Sequence, residues 1–286
     1  MGRNISNEVA FPTMQGKKAR EIEIIATGDE LLYGRILDTN SHWIARRIVE
    51  LGGKLLRVTI VGDRKEDIGA ALRESMEREN DVIIFTGGLG PSMDDLTVES
   101  IGETIDRRIV YDPSTIEKIK SVYRKRGISD TTRGERMARI LEGSQAIQNQ
   151  LGFSVGMMIE EKNRLIFTFP GVPEEMKNMF NNSVARIIEK ESSDKSLAKT
   201  IIVRMVWKDF FPLFWRLQTD FPEIYLKNAA TPPMEEPERE KIHEIKVDIV
   251  INGLTKDEAE GKMAALLKEY QDRINQAGGG EIQTVD

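Results

Sequence analysis

The sequence predicts an α/β protein built as a three-layer sandwich around a mostly parallel sheet, followed by a smaller α+β unit. Two observations carry the prediction. Runs such as DVIIF (Asp81 to Phe85) and RLIFTF (Arg164 to Phe169) are almost wholly apolar, as strands covered on both faces must be. Between such runs lie stretches with apolar residues every three or four positions, the stripe of an amphipathic helix. Strand and helix in alternation are crossover units laid on both sides of a parallel sheet.

The elements follow in order. Residues 1–19 are polar, without a sustained period, and read as a loose tail. EIEIIA (Glu21 to Ala26) is the first strand. Asp38 and Thr39 offer N-caps to a helix with Ile44, Ala45, Ile48 and Val49 on one face, closed by Gly52-Gly53. KLLRVTIV (Lys54 to Val61) is the second strand, and Ile68, Leu72 and Met76 stripe the next helix. After the third strand, DVIIF, come helices marked by Val98, Ile101 and Ile105 and, beyond Pro113, by Ile116, Ile119 and Tyr123. Residues 140–169 suit strand and loop, with RLIFTF the clearest strand. Met176, Phe180, Val184 and Ile187 stripe a closing helix.

KESSDKSLAK (190–199) reads as a linker. IIVRMVW and HEIKVDIVI then look like strands, and Ala259, Met263, Leu266 and Tyr270 mark a last helix. The terminal QAGGGEIQTVD should fray. The expected organisation is a tail at 1–19, a first domain at 20–190 and a second at 191–286.

Composition narrows the function. With 286 residues and 40% hydrophobic content, such a chain buries about three quarters of its unfolded surface, which excludes intrinsic disorder. The 41 basic and 47 acidic residues leave a net charge of −6, which gives no support to nucleic-acid or membrane-surface binding. Zero Cys removes disulfides, thiol nucleophiles and zinc–thiolate sites. Only His42 and His243 are present, so a Ser–His–Asp triad and a His-rich metal site are poor readings. No apolar run approaches 18 residues and no signal-peptide core is visible, so a soluble, cytoplasmic protein is expected.

Four strand candidates run directly into small or polar residues: Thr27-Gly28-Asp29-Glu30, Gly62-Asp63, Thr86-Gly87-Gly88-Leu89-Gly90-Pro91-Ser92 and Pro170-Gly171. If the strands are parallel, all four loops emerge at one edge, where open α/β sheets bind ligands. Glycines there let backbone N–H groups approach a phosphate. The third loop matches neither a dinucleotide fingerprint, since Met93 occupies the third glycine position, nor a Walker A loop. Ser92, Thr27 and Thr86 offer hydroxyls. The adjacent Asp94 and Asp95 either cap a helix or hold Mg²⁺ or another divalent cation against a ligand phosphate.

The segments IIATGDELLYGRILDTNS (24–41), VGD (61–63), Asn149-Gln150-Leu151-Gly152, FTGGLGPSMDDLTVE (85–99) and FPGVPEEMKNMF (169–180) resemble the molybdopterin-binding superfamily of MogA, MoaB, MoeA and gephyrin. The likeness is closest to the N-terminal domain of CinA-type proteins. The resemblance implies that Asp63 and Asp95 lie beside the bound phosphate and metal, with Asp95 and Asp94 as metal candidates and Glu30 at an acidic position common in the CinA group. It implies a phosphate site of Thr27, Gly28, Glu30, Thr86, Gly87, Gly88, Gly90, Ser92, Pro170 and Gly171. It also implies a KH-like second unit and self-association into a homo-oligomer, while the deamidase domain that ends many CinA proteins is expected to have no counterpart in this sequence. RNA binding is not implied, since no G-x-x-G follows residue 190 and 13 Lys/Arg face 18 Asp/Glu there. One departure follows Gly152, where the family has a small Thr-Ala-Pro-Gly type of loop and this chain has Phe153-Ser154-Val155-Gly156.

Three functions fit these residues. One is metal-assisted hydrolysis of an ADP-ribose-like phosphoanhydride. The others are molybdopterin binding or adenylyl transfer in cofactor biosynthesis, and non-catalytic binding of a nucleotide or pterin.

Overall fold

A computed structural model describes residues 20–78, 80–191, 195–229 and 235–285; the tail expected at 1–19 lies outside them. The first part contains β1 (Glu21–Thr27), α1 (Asp29–Leu32), α2 (Thr39–Glu50), β2 (Lys54–Val61), α3 (Lys65–Glu77), β3 (Val82–Thr86) and α4 (Thr97–Ile105). It continues with β4 (Ile109–Tyr111), α5 (Pro113–Lys125), α6 (Thr132–Glu135), β5 (Arg139–Leu141), β6 (Gln145–Ile147), β7 (Gly156–Glu161), β8 (Arg164–Phe169), α7 (Pro173–Asn181) and α8 (Val184–Glu191). A six-stranded sheet has the order β2-β1-β3-β8-β7-β6. Its first four strands are mutually parallel, and β7 runs antiparallel to both neighbours.

Two cores explain the apolar strands. Ile22 and Ile24 of β1, Val82 and Ile84 of β3, and Phe167 and Phe169 of β8 pack with residues of α2, α7 and α8. The alternate residues Ile25, Ile83, Phe85 and Ile166 pack with Ile68, Leu72, Val98 and Ile101 of α3 and α4. Each central strand therefore buries both faces, which makes three layers. A charge inside this frame is fully tied down. Glu23, 1% exposed, receives bonds of 2.7 Å from Arg78 Nε and Nη2, with Ser75 Oγ and Asn80 Nδ2 completing its shell. Burial alone would raise its pKa, but the bonds from Arg78, Asn80 and Ser75 bring it below the usual carboxylate value.

The second part has β9 (Lys195–Val206), α9 (Trp207–Asp220), β10 (Ile224–Asn228), β11 (Ile242–Leu254), α10 (Lys256–Gln276) and β12 (Gly280–Val285). Its antiparallel sheet has the order β10-β11-β9-β12, so an α+β unit follows the parallel one.

Three expectations need correction. The closing helix is two helices, because Asn182 caps α7 and Ser183 separates it from α8; both residue types prefer caps to helix interiors. The linker expected to reach residue 199 is shorter, since β9 begins at Lys195. The C-terminal segment is not frayed, because β12 pairs with β9 from Gly280↔Met205 to Val285↔Thr200. The aromatic residues of α9 belong to the second core, where Trp207, Phe210 and Phe214 are buried, while Trp215 is 60% exposed.

Candidate functional site

The carboxyl ends of β1, β2, β3 and β8 converge on one cleft of about 640 Å³, within the size range of small-ligand sites. Of the residues singled out in the sequence, Thr27, Gly28, Glu30, Asp63, Gly87, Gly88, Gly90, Ser92, Asp94, Asp95, Pro170 and Gly171 all line it. Thr86 does not. It lies buried behind the wall, where its Oγ1 accepts from Asn40 Nδ2 at 3.0 Å and donates to Pro170 O at 3.4 Å. Its hydroxyl therefore supports the loops instead of facing a ligand.

The glycine loop is closed from beneath by threonines. Thr97 Oγ1 donates to Gly87 O at 2.9 Å and lies 3.2 Å from Thr27 Oγ1. Gly88 has φ +65°, and a Cβ on it would sit 2.2 Å from Thr97 Oγ1, so only glycine fits. The Gly87 amide is spent on Phe169 O at 3.0 Å. The next three amides, of Gly88, Leu89 and Gly90, make no hydrogen bond to any described residue. They are donors at the edge where an anion would arrive.

Asp95 does not cap α4, and neither does Asp94; the helix has no side-chain cap. Asp95 Oδ2 instead accepts from the Ser92 amide at 2.7 Å, closing the 92–95 turn. Two arginines secure that turn. Arg136 donates to Ser92 O and Asp95 O, at 3.1 and 3.2 Å, and Arg139 to Asp95 O at 3.1 Å. Arg139 also pairs with Glu99. Burial lowers the Arg139 pKa, and the charge of Asp95 opposes that shift.

Asp63 and Asp29 hold each other reciprocally. The Asp29 amide donates to Asp63 Oδ2 at 3.0 Å, and the Asp63 amide to Asp29 Oδ1 at 3.2 Å. Burial pushes the Asp63 pKa up; the Asp29 amide opposes this, and the charges of Asp29, Glu30 and Asp94 add to it. Glu30, Asp63, Asp94, Asp95 and Glu175 all line the cleft, and no Lys or Arg among the described residues does. Among the described residues no three acidic or histidine side chains group closely enough to hold a metal ion by themselves. An oxygen-only, carboxylate-rich wall fits a hard divalent cation that takes part of its shell from a ligand phosphate and water.

Several site residues escaped the sequence argument. Asn40, Thr97, Arg136, Arg139 and Glu175 act through partners far along the chain, such as Asn40 Nδ2 on Gly171 O at 2.9 Å. Asn40, Thr97 and Glu175 stand inside the quoted motifs, which was the signal available for them. Arg136 and Arg139 had none.

Residues 23–190 match the family described as "Probable molybdopterin binding domain". The chain belongs to that family. It is 34% identical over 258 residues to a competence-damage inducible protein of Bacillus pumilus, covering 90% of this chain and 59% of that protein. It is 32% identical over 262 residues to a CinA-like protein of Dictyoglomus thermophilum, covering 92% and 61%. The chain thus spans about three fifths of the length of these relatives. Among solved structures it is similar to the CinA protein of Thermoplasma acidophilum, with a TM-score of 0.54 and 30% identity over 60% of this chain and 99% of that one. No helix among the described residues is long and apolar enough to cross a membrane.

Proposed function

We propose that the chain is a CinA-like nucleotide pyrophosphatase that hydrolyses an ADP-ribose-like phosphoanhydride with the help of Mg²⁺ or another divalent cation. One observation carries the reading: backbone donors without partners among the described residues sit in a cleft walled by carboxylates, and no Lys or Arg among the described residues lines it. The amides of Gly88, Leu89 and Gly90 suit phosphate oxygens. Like charges about 4 Å apart repel by roughly 1–4 kcal/mol between bulk water and a protein surface, so a phosphate enters this cleft favourably only with a cation. Asp95 and Asp94 would hold that cation. When bound, it would polarise the phosphoryl group and acidify a water.

The protein's own residues do the rest. Asp63 keeps Oδ2 on the Asp29 amide, which leaves Oδ1 to take a proton from the attacking water. Its raised pKa suits that task. The water oxygen bonds to phosphorus, the P–O–P bridge breaks, and AMP and ribose 5-phosphate leave. Thr97 and Thr27 hold the amides in place, and the Arg136–Arg139 pair holds the turn that carries Asp95.

Formation of AMP and ribose 5-phosphate from ADP-ribose, followed across a Mg²⁺ titration, tests the reading. The family description supports a second one, a molybdopterin-binding or adenylyl-transferring protein, which co-purified pterin fluorescence would select. Tight nucleotide binding without turnover would select a non-catalytic module. Self-association is part of the proposal, supported by Leu56, Val58 and Ile60, exposed along the edge strand β2. Light scattering should give a mass well above 32.4 kDa.

A further inference from the structure

A second part of the cleft lining comes from residues 151–154 and from Glu175 of α7. Asn149, 5% exposed, organises it with its full hydrogen-bonding capacity. Its Oδ1 accepts the amides of Leu151 and Gly152 at 3.0 and 2.8 Å. Its Nδ2 donates to Ser154 O at 3.1 Å and to Glu175 Oε2 at 2.6 Å. Because two amide donors fix Oδ1, the orientation of the side chain is determined and Glu175 is anchored with it. Lys118 Nζ secures the same loop from behind, on Asn149 O at 2.8 Å and Gly152 O at 2.6 Å. It also lies 5.7 Å from the centroid of the Phe153 ring. Phe153 and Glu175 line the cleft, whereas Lys118 does not.

This part of the lining therefore offers both an aromatic ring and a carboxylate. Glu175 Oε1 makes no hydrogen bond to any described residue, and a carboxylate can only accept. Leu151 and Val172, 60% and 53% exposed, add apolar surface at the rim. A phosphate is repelled here, while a flat, uncharged ring with an N–H group is complementary in both respects. A stacked aromatic contact is tolerant of ring type, so the selective element is the acceptor.

We propose that Phe153 and Glu175 form the ring-binding end of the cleft and select a planar heteroaromatic ring carrying N–H donors, an aminopurine or a pterin. The proposal rests on the phosphate-binding reading above and specifies what the phosphates are attached to. It also gives a role to the sequence departure at Phe153.

The test is binding, in the presence of Mg²⁺, of inorganic pyrophosphate, ADP, GDP and purine riboside 5′-diphosphate, which lacks the amino group. GDP carries the same amino-oxo pyrimidine edge as a pterin, so the order of ADP and GDP separates the two ring sources. The wild-type chain should bind ADP or GDP about tenfold or more tighter than the purine riboside ligand. Glu175→Gln can keep its bond to Asn149 through Oε1 while turning a donor toward the ligand. It should erase that preference without weakening pyrophosphate binding. Phe153→Ala should weaken every ring-bearing ligand by roughly tenfold and spare pyrophosphate. Absence of pyrophosphate binding to the wild-type chain would sink the phosphate-site reading itself. Pyrophosphate binding with ring preference intact in Glu175→Gln, or an equal loss for all four ligands, would overturn the ring proposal alone.

Discussion

Two glycines with nearly the same backbone conformation allow the packing of the glycine loop to be measured. Gly88 has φ +65° and Gly34 has φ +64°. Alanine at either position meets the left-handed penalty of about 1–2 kcal/mol. A Cβ at Gly34 would have no heavy atom within 4 Å, whereas at Gly88 it would lie 2.2 Å from Thr97 Oγ1. Thr97 is fully buried and its hydroxyl holds Gly87 O and faces Thr27 Oγ1, so it cannot move aside without losing those partners. Leaving buried polar groups unpaired costs about 1–3 kcal/mol more. Gly34→Ala should therefore lower stability by about 1–2 kcal/mol and Gly88→Ala by about 2–5 kcal/mol, read from urea midpoints at unchanged slope. Pyrophosphate affinity measured on the same samples should fall in Gly88→Ala, because the amide donors are re-aimed, and hold in Gly34→Ala. Equal stability losses would refute the claim that Thr97 packs the loop. Normal pyrophosphate binding by Gly88→Ala would refute the claim that this loop holds the anion.

Other perturbations separate charge from architecture. Asp95→Asn can still accept the Ser92 amide through its remaining oxygen, and Asp94 is exposed and takes no part in that turn. Both substitutions should leave thermal stability nearly unchanged, yet Asp95→Asn should cost on the order of a hundredfold in metal-dependent turnover and Asp94→Asn much less; equal losses would mean that the two carboxylates share the ion. Asp63→Asn should raise the melting temperature of the metal-free protein, since it removes a charge crowded by Asp29, Glu30 and Asp94 while keeping an acceptor for the Asp29 amide. Because the folded pKa of Asp63 is raised, its ionisation opposes folding at neutral pH, and the difference between wild type and variant should shrink as pH falls through that raised value. Glu23 has the opposite sign. Its folded pKa is depressed, so its contribution is present above the ordinary carboxylate pKa and is lost as pH falls through the folded value. Arg78→Ala should cost about 3 kcal/mol at neutral pH and progressively less in acid, which unfolding curves at a series of pH values would check.

Much of this protein was determined locally and could be read from the sequence. The apolar runs of β1, β3 and β8 demand cover on both faces, and the residues that end them are small because the chain must turn there; parallel pairing then brings Gly28, Asp63, Gly88 and Gly171 to one edge. What the tertiary structure decided are the contacts between residues far apart in sequence. Thr86 became a support instead of a phosphate ligand because Asn40, 46 residues earlier, reaches it. Asp95 became a turn closer whose carbonyl is held by Arg136 and Arg139 from a different segment, and Glu175 acquired its orientation from Asn149. The glycine-rich C-terminal segment has no strong strand pattern of its own, and it is β12 because β9 offers an edge whose hydrogen bonds it completes. Periodicity reports which face of an element is buried, but a hydrogen-bond partner contributed by another element leaves no period in the sequence.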